Sequence, residues 1–114
     1  MNRDLAEEFA ERLREARAEL YRTVAQTDDE LRTLETHQPG APGEDAATEL
    51  VTAVLSRLEG QAKHELDEID AAQARLAAGA YGVCEGCATP ISLARLRAMP
   101  TARYCVPCQL TRET

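Results

Sequence analysis

The sequence predicts an all-α-dominated fold: a long antiparallel two-helix coiled-coil hairpin capped by a small four-cysteine module. Three observations carry the prediction. Two helix-length segments with apolar residues at steps of three and four flank a short stretch rich in Pro and Gly. Aromatic residues make up 4% of the chain and charged residues 29%, which suits exposed helices with narrow apolar seams better than a conventional globular core. The four cysteines, finally, all lie near the C-terminal end, as two C-x2-C pairs.

The first helix is expected over residues 3–36. Leu5, Phe9, Leu13, Ala16 and Leu20 form one stripe, which Val24, Leu31 and Leu34 continue past a polar Thr27. No Gly or Pro interrupts it. The segment His37-Gln38-Pro39-Gly40-Ala41-Pro42-Gly43 then stops the helix and reverses the chain, so the tip is expected at 37–44. Glu44 or Asp45 can cap the second helix, where a negative charge complements the dipole.

The second helix is expected over 45–78. Leu55, Ala62, Ile69 and Leu76 recur by sevens, with Val51, Leu58, Glu65 and Ala72 as the companion row. Glu65 is a flaw in that row, relieved by Leu66 beside it, and Gly60 costs roughly 1 kcal/mol against Ala in a helix interior. A helix of this length spans ~50 Å at ~1.5 Å per residue. Residues 1–78 thus read as the hairpin and 79–114 as the finger.

Cys84-Glu85-Gly86-Cys87 and Cys105-Val106-Pro107-Cys108 are separated by seventeen residues, the spacing of a structural zinc site. Each pair turns two sulfurs toward one ion, and four thiolates close a tetrahedral shell with no open position for water or substrate. One zinc ion, Zn2+, is therefore expected at Cys84, Cys87, Cys105 and Cys108, in a structural role. Pro90 to Met99 reads as a turn and short helix whose Ile91, Leu93, Leu96 and Met99 make a small core. Tyr81 and Tyr104 are expected against the knuckles, and the finger is expected to end in a short C-terminal helix or tail, with Leu110–Thr114 as a frayed terminal turn.

Charge narrows the function. Residues 1–78 carry nine Arg and Lys against eighteen Asp and Glu, and the whole chain has a net charge of −7. A dedicated DNA binder shows a basic face, so direct sequence-specific DNA binding is not expected. No apolar run is long enough to span a membrane, and the N-terminus has no signal-peptide core, so a cytoplasmic protein is expected. In a reducing compartment, paired C-x2-C motifs favour zinc over disulfides. There is no nucleophile–base set and no Gly-rich phosphate loop, which argues against an enzyme. His37 and His64 read as solvated helix residues.

The run Tyr81-Gly82-Val83-Cys84-Glu85-Gly86-Cys87, followed by Pro90-Ile91, Arg95-Leu96, Ala98, Pro100, Ala102 and Cys105-Val106-Pro107-Cys108-Gln109, closely resembles the DksA/TraR family of bacterial zinc-finger proteins. The match is strongest over residues 79–109, and the helical hairpin is its architectural part. The resemblance implies a transcription regulator that binds RNA polymerase, not promoter DNA, and inserts its coiled-coil tip into the secondary channel. It implies modulation of initiation, often with the alarmone ppGpp, in the stringent response.

The family's tip pattern is Asp-x-x-Asp-x-Ala. The matching positions here are Ala41, Glu44 and Ala46, with Asp45 adjacent, so the first acidic residue is absent. The resemblance makes Glu44, Asp45 and Ala46 candidate tip contacts. Arg95, Arg97 and Arg103 are candidate contacts for polymerase or an alarmone phosphate, against the plainer reading of a solvated finger surface. A monomer is expected. Two other readings fit the residues: a zinc-ribbon nucleic-acid-binding protein, separable by salt-sensitive binding to naked DNA, and a structural coiled-coil adaptor, separable by a stable dimer.

Overall fold

The computed structural model describes residues 1–35 and 44–113, with the backbone alone at Glu35, Glu44 and Asp45. Among the described residues four α-helices follow one another: α1 (Arg3–Glu35), α2 (Glu44–Ala77), α3 (Leu93–Ala98) and α4 (Val106–Glu113). This is the predicted all-α hairpin with its four-cysteine module, each long helix ending within one residue of expectation. Among the described residues there is no β-strand; one antiparallel bridge joins Val83 to Pro90. None of the described helices is long and apolar enough to cross a membrane. Of the expected tip at 37–44, residues 37–43, with His37 and Ala41, lie outside the described residues, as do the side chains of Glu44 and Asp45.

Local chemistry explains the helix ends. Asn2 caps α1, its Oδ1 accepting from the Leu5 N–H at 2.8 Å. Gly79, at φ 75°, ends α2 in a left-handed turn: the Gly79 N–H reaches the Leu76 carbonyl and the Ala80 N–H reaches that of Arg75. These are the two bonds of a Schellman cap, in which a side chain at the left-handed position would be strained. Ser92 caps α3 by accepting from the Arg95 N–H. Both Glu44 and Asp45 lie inside the first turn of α2 and not ahead of it.

The chain divides into two compact units. One contains Met1–Arg17 and Asp67–Thr114, the other Ala18–Leu66.

In the first unit, the α1 and α2 segments run antiparallel. Ala6 and Ala10 share a shallow groove with Leu76 and Ala77, and Arg17 pairs with Asp70 at 3.2 Å. Phe9 and Leu13 are completely buried with Ile69 and Ala72, and the finger adds Tyr81, Ile91, Leu96 and Ala102. The Phe9 and Tyr81 rings lie 5.3 Å apart at a tilt of 45°, and the Tyr81 hydroxyl donates to the Pro100 carbonyl at 2.7 Å. Of the four expected finger-core residues, Ile91 and Leu96 are buried, whereas Leu93 and Met99 are exposed. The α3 helix has six residues, and only one of its faces can reach the core.

In the second unit, α1 contributes the expected row, with Leu20, Val24, Leu31 and Leu34 partly buried. Thr27 belongs to that row: it is buried, and its hydroxyl donates to the Thr23 carbonyl at 2.9 Å. This back-bond is how a threonine is accommodated on a packed helix face.

The α2 row differs from expectation. Ala62 and Leu66 are buried, and Thr48, Thr52, Leu55 and Glu59 are partly buried, while Val51 and Leu58 are about half exposed. Within this unit the companion row therefore sits four residues after Leu55 and Ala62 and not three, whereas Ala72 in the first unit keeps the expected three-residue step from Ile69. Leu66 packs where Glu65 was expected, and a continuous helix carries the same rotation back to Glu59 and Thr52. Glu59 lies there between Lys63, its ion-pair partner, and Asp28 of α1. Its hydrogen bond with Lys63 holds its carboxyl below the usual range, and contact with Glu59 raises that of Asp28.

Candidate metal centre

The two cysteine pairs arrive on different elements. Cys84 and Cys87 sit in a knuckle just beyond α2. The Cys84 carbonyl accepts from the Ala88 N–H at 2.9 Å, and the Cys84 N–H donates to Thr89 at 2.8 Å. The turn needs a left-handed residue after Cys87, and Ala88 supplies it at φ 62°. Cys105 precedes α4, and Cys108 lies in that helix's first turn. The short C-terminal helix, α4, starts at Val106, ahead of the terminal turn expected from Leu110. Pro107 is compatible with it because the first turn of a helix leaves its N–H groups without intrahelical partners.

The four sulfurs lie within 4.8 Å of one another. Cys87 Sγ and Cys105 Sγ are 3.7 Å apart, far beyond a disulfide bond and close to the ~3.8 Å edge of a tetrahedron with ~2.3 Å metal–sulfur bonds. Gly86 makes the approach feasible: a Cβ there would come within 3.1 Å of Cys108 Sγ.

The thiols do not all shift the same way. Burial pushes the Cys84 thiol up, but hydrogen bonds from the backbone at Cys105, Cys87 and Gly86 outweigh it and bring the pKa down to about 6. Hydrogen bonding with Thr89 also lowers Cys87. Contact with the thiols of Cys105, Cys87 and Cys84 instead pushes Cys108 up to about 12. Four sulfurs this close repel a full set of negative charges, and a divalent cation among them supplies the missing countercharge. Cys84, Cys87, Cys105 and Cys108 thus fit one zinc ion, and a four-sulfur shell leaves no ligand position open. The ion's role is structural.

Charged side chains dock this knuckle onto the helices. Arg103 forks onto Glu68 of α2, with Nε–Oε2 2.8 Å and Nη2–Oε1 3.2 Å, and reaches Glu85 at 3.3 Å. Glu85 lies between two of the cysteines. Its N–H donates to the Arg103 carbonyl, and Arg75 of α2 approaches its carboxylate at 3.9 Å. Arg97 of α3 forks onto Glu8 of α1 at 3.0 and 3.2 Å; this hydrogen bond lowers the pKa of Glu8 and raises that of Arg97. Arg95 donates to the Tyr104 carbonyl at 2.9 Å. Arg112 lies over the Tyr104 ring, 4.4 Å from its centre.

All three arginines singled out from the sequence therefore have partners within the chain. The carboxylates that pair with Arg97 and Arg103, namely Glu8, Glu68 and Glu85, were not singled out, because no local spacing announces a pairing between residues as far as 89 positions apart. Of the tip candidates, Ala46 is exposed in the first turn of α2. His64 is exposed, as expected.

Comparison with known proteins places this geometry. Residues 79–113 match the model of the prokaryotic dksA/traR C4-type zinc finger. The chain is 33% identical over 113 residues to the RNA polymerase-binding transcription factor DksA of Caulobacter vibrioides, covering 99% of this chain and 79% of that protein. An uncharacterized protein of Aquifex aeolicus is also 33% identical, over 118 residues, covering 100% of this chain and 81% of the relative. Among solved structures, transcription factor DksA2 from Pseudomonas aeruginosa superposes with a TM-score of 0.89 at 34% identity, covering 98% of this chain and 85% of that one. A thiol cluster at the foot of a two-helix hairpin, matched along nearly the whole chain, makes this protein a member of the DksA/TraR family.

Proposed function

We propose that this protein is a cytoplasmic transcription regulator that binds RNA polymerase through its secondary channel and modulates initiation. What supports the reading is the similarity, along 99% of this chain, to a polymerase-binding DksA, together with the four-cysteine cluster inside the matched C4-type zinc finger. In this reading residues 1–78 are the probing hairpin and residues 79–114 the zinc-stabilised finger. The chain acts as a monomer, without catalysis of its own and without sequence-specific DNA binding. Its acidic helices suit a channel of opposite potential, because complementary fields steer encounter.

Glu44, Asp45 and Ala46 are the proposed tip contacts, and ppGpp of the stringent response is the proposed co-regulator. Arg95, Arg97 and Arg103 remain proposed contacts for polymerase or alarmone. A partner at Arg97 or Arg103 shares a guanidinium already forked onto Glu8 or Glu68.

The test is binding of the zinc-loaded protein to its host's RNA polymerase, with and without a competitor that fills the secondary channel. Glu44→Ala/Asp45→Ala is run beside it in an initiation assay. Competed binding with an initiation effect lost in the variant is the expected result. Absence of binding at micromolar protein overturns the reading.

A further inference from the structure

Between Glu49 and Glu59, α2 carries Leu50, Val51, Val54 and Leu58, whose exposures are 68%, 47%, 48% and 48%. At ~100° per residue these four fall on one side of the helix. The row turned toward α1 instead holds Thr48, Thr52 and Glu59 alongside Leu55. The usual order, apolar inward and polar outward, is thus inverted over this stretch. The fold does not need these four side chains for its own seam.

We propose that this stripe is a docking surface for a protein partner presenting an apolar wall with a carboxylate beside it. The partner's chemistry follows from the stripe's own. Residues 50–58 contain one charge, that of Arg57, which is exposed, in a chain of net charge −7. A lone cation at the edge of an apolar strip calls for a carboxylate opposite.

Other occupants fit less well. Nucleic acid needs several cations along the contact. A lipid surface needs a cation-rich polar face, and α2 carries three basic residues against eight acidic ones. A second copy of the chain would have to be held by roughly 350 Å² per protomer, less than half of the ~800 Å² per partner of a stable interface. A partner that surrounds the hairpin can add contacts on its other faces, so a small stripe suffices there. With the function proposed above, that partner is the wall of the polymerase channel, and in this respect the inference rests on that reading.

The experiment compares the zinc-loaded full chain with the Leu50→Ser/Val54→Ser/Leu58→Ser variant and with Arg57→Glu and Arg57→Lys. Polymerase affinity is read by fluorescence anisotropy, with helicity and zinc content as folding controls. Binding by the native chain, a loss of at least tenfold in the triple variant and in Arg57→Glu, and retention in Arg57→Lys are expected. Native binding that the triple variant and Arg57→Glu match within twofold overturns the docking surface and leaves the polymerase reading standing. No binding by the native chain overturns that reading first, and the identity of the partner with it. A dimer in sedimentation at micromolar protein that the triple variant abolishes overturns the proposal in favour of a second copy.

Discussion

Phe9 offers the sharpest test of how the finger is held to the helices. Its side chain is completely buried in the unit that contains the thiol cluster, and its ring lies 5.3 Å from that of Tyr81. Truncation of a fully buried Phe to Ala costs about 3–5 kcal/mol in lost burial and residual cavity. A tilted aromatic pair adds ~0.5–1.5 kcal/mol beyond area, so Phe9→Ala belongs in the upper part of that range. Phe9→Leu keeps most of the volume and removes the ring contact, and is expected to cost ~1–1.5 kcal/mol.

Since whole domains are stable by about 5–15 kcal/mol, Phe9→Ala removes a large share of the total. Urea unfolding of the zinc-saturated variants, followed by far-UV circular dichroism and by tyrosine fluorescence, measures both. The two probes also report whether the units unfold together. A cost below about 1 kcal/mol for Phe9→Ala refutes the enclosed junction between the start of α1 and the finger.

Gly86→Ala places a Cβ 3.1 Å from Cys108 Sγ, so zinc affinity in a chelator competition is expected to fall at least tenfold with the helices intact. At Ala88, φ is 62°. Glycine there relieves ~1–2 kcal/mol of left-handed strain against ~0.5–1 kcal/mol of added unfolded-chain freedom, so Ala88→Gly raises urea stability by about 0.5–1 kcal/mol. Burial pushes the Tyr81 phenol up to about 12 from an ordinary value of 10. Because the folded pKa is the higher one, this contribution to stability is whole below pH 10 and declines as pH rises from 10 to 12, which unfolding curves across that range, compared with Tyr81→Phe, will show. Zinc removal by a chelator is expected to disorder the finger and expose all four thiols to a thiol reagent, while the zinc-loaded protein reacts slowly.

The thiol cluster and the long helices were legible because their signals are local. Cysteine spacing fixes which sulfurs can meet, and a Pro/Gly stretch between two periodic runs fixes where the helices stop. The rotation of α2 was not legible in the same way. The row Leu55, Ala62, Ile69 and Leu76 serves a companion row three residues on as readily as one four residues on. Leu58 favours the first and Leu66 the second, and packing against α1 chose Leu66. Composition gave no warning that Thr52 and Glu59 would face α1 while Leu58 faced outward. The finger's docking pairs were hidden for another reason: Arg97 and Glu8 share no helix turn, and a fork between them exists only once the chain is folded. The second knuckle opens a helix because Pro107 falls where its missing N–H does no harm, a positional fact that a count of breakers overlooks.

The division of the chain into units has a consequence for its synthesis. Ala18–Leu66 is one uninterrupted segment, and all its contacts are available as soon as that segment has left the ribosome. The other unit joins Met1–Arg17 to Asp67–Thr114, so Phe9 and Leu13 emerge before Tyr81 and Leu96 and wait for them. During that wait two large apolar side chains are open to chaperones or to one another on crowded polysomes. A message truncated before Cys105 yields a chain that carries the hairpin's helices but never closes its metal site. Cys105 and Cys108 therefore gate the closing of this unit, and nascent chains arrested at successive lengths should gain protection at Phe9 only after Cys108 is exposed.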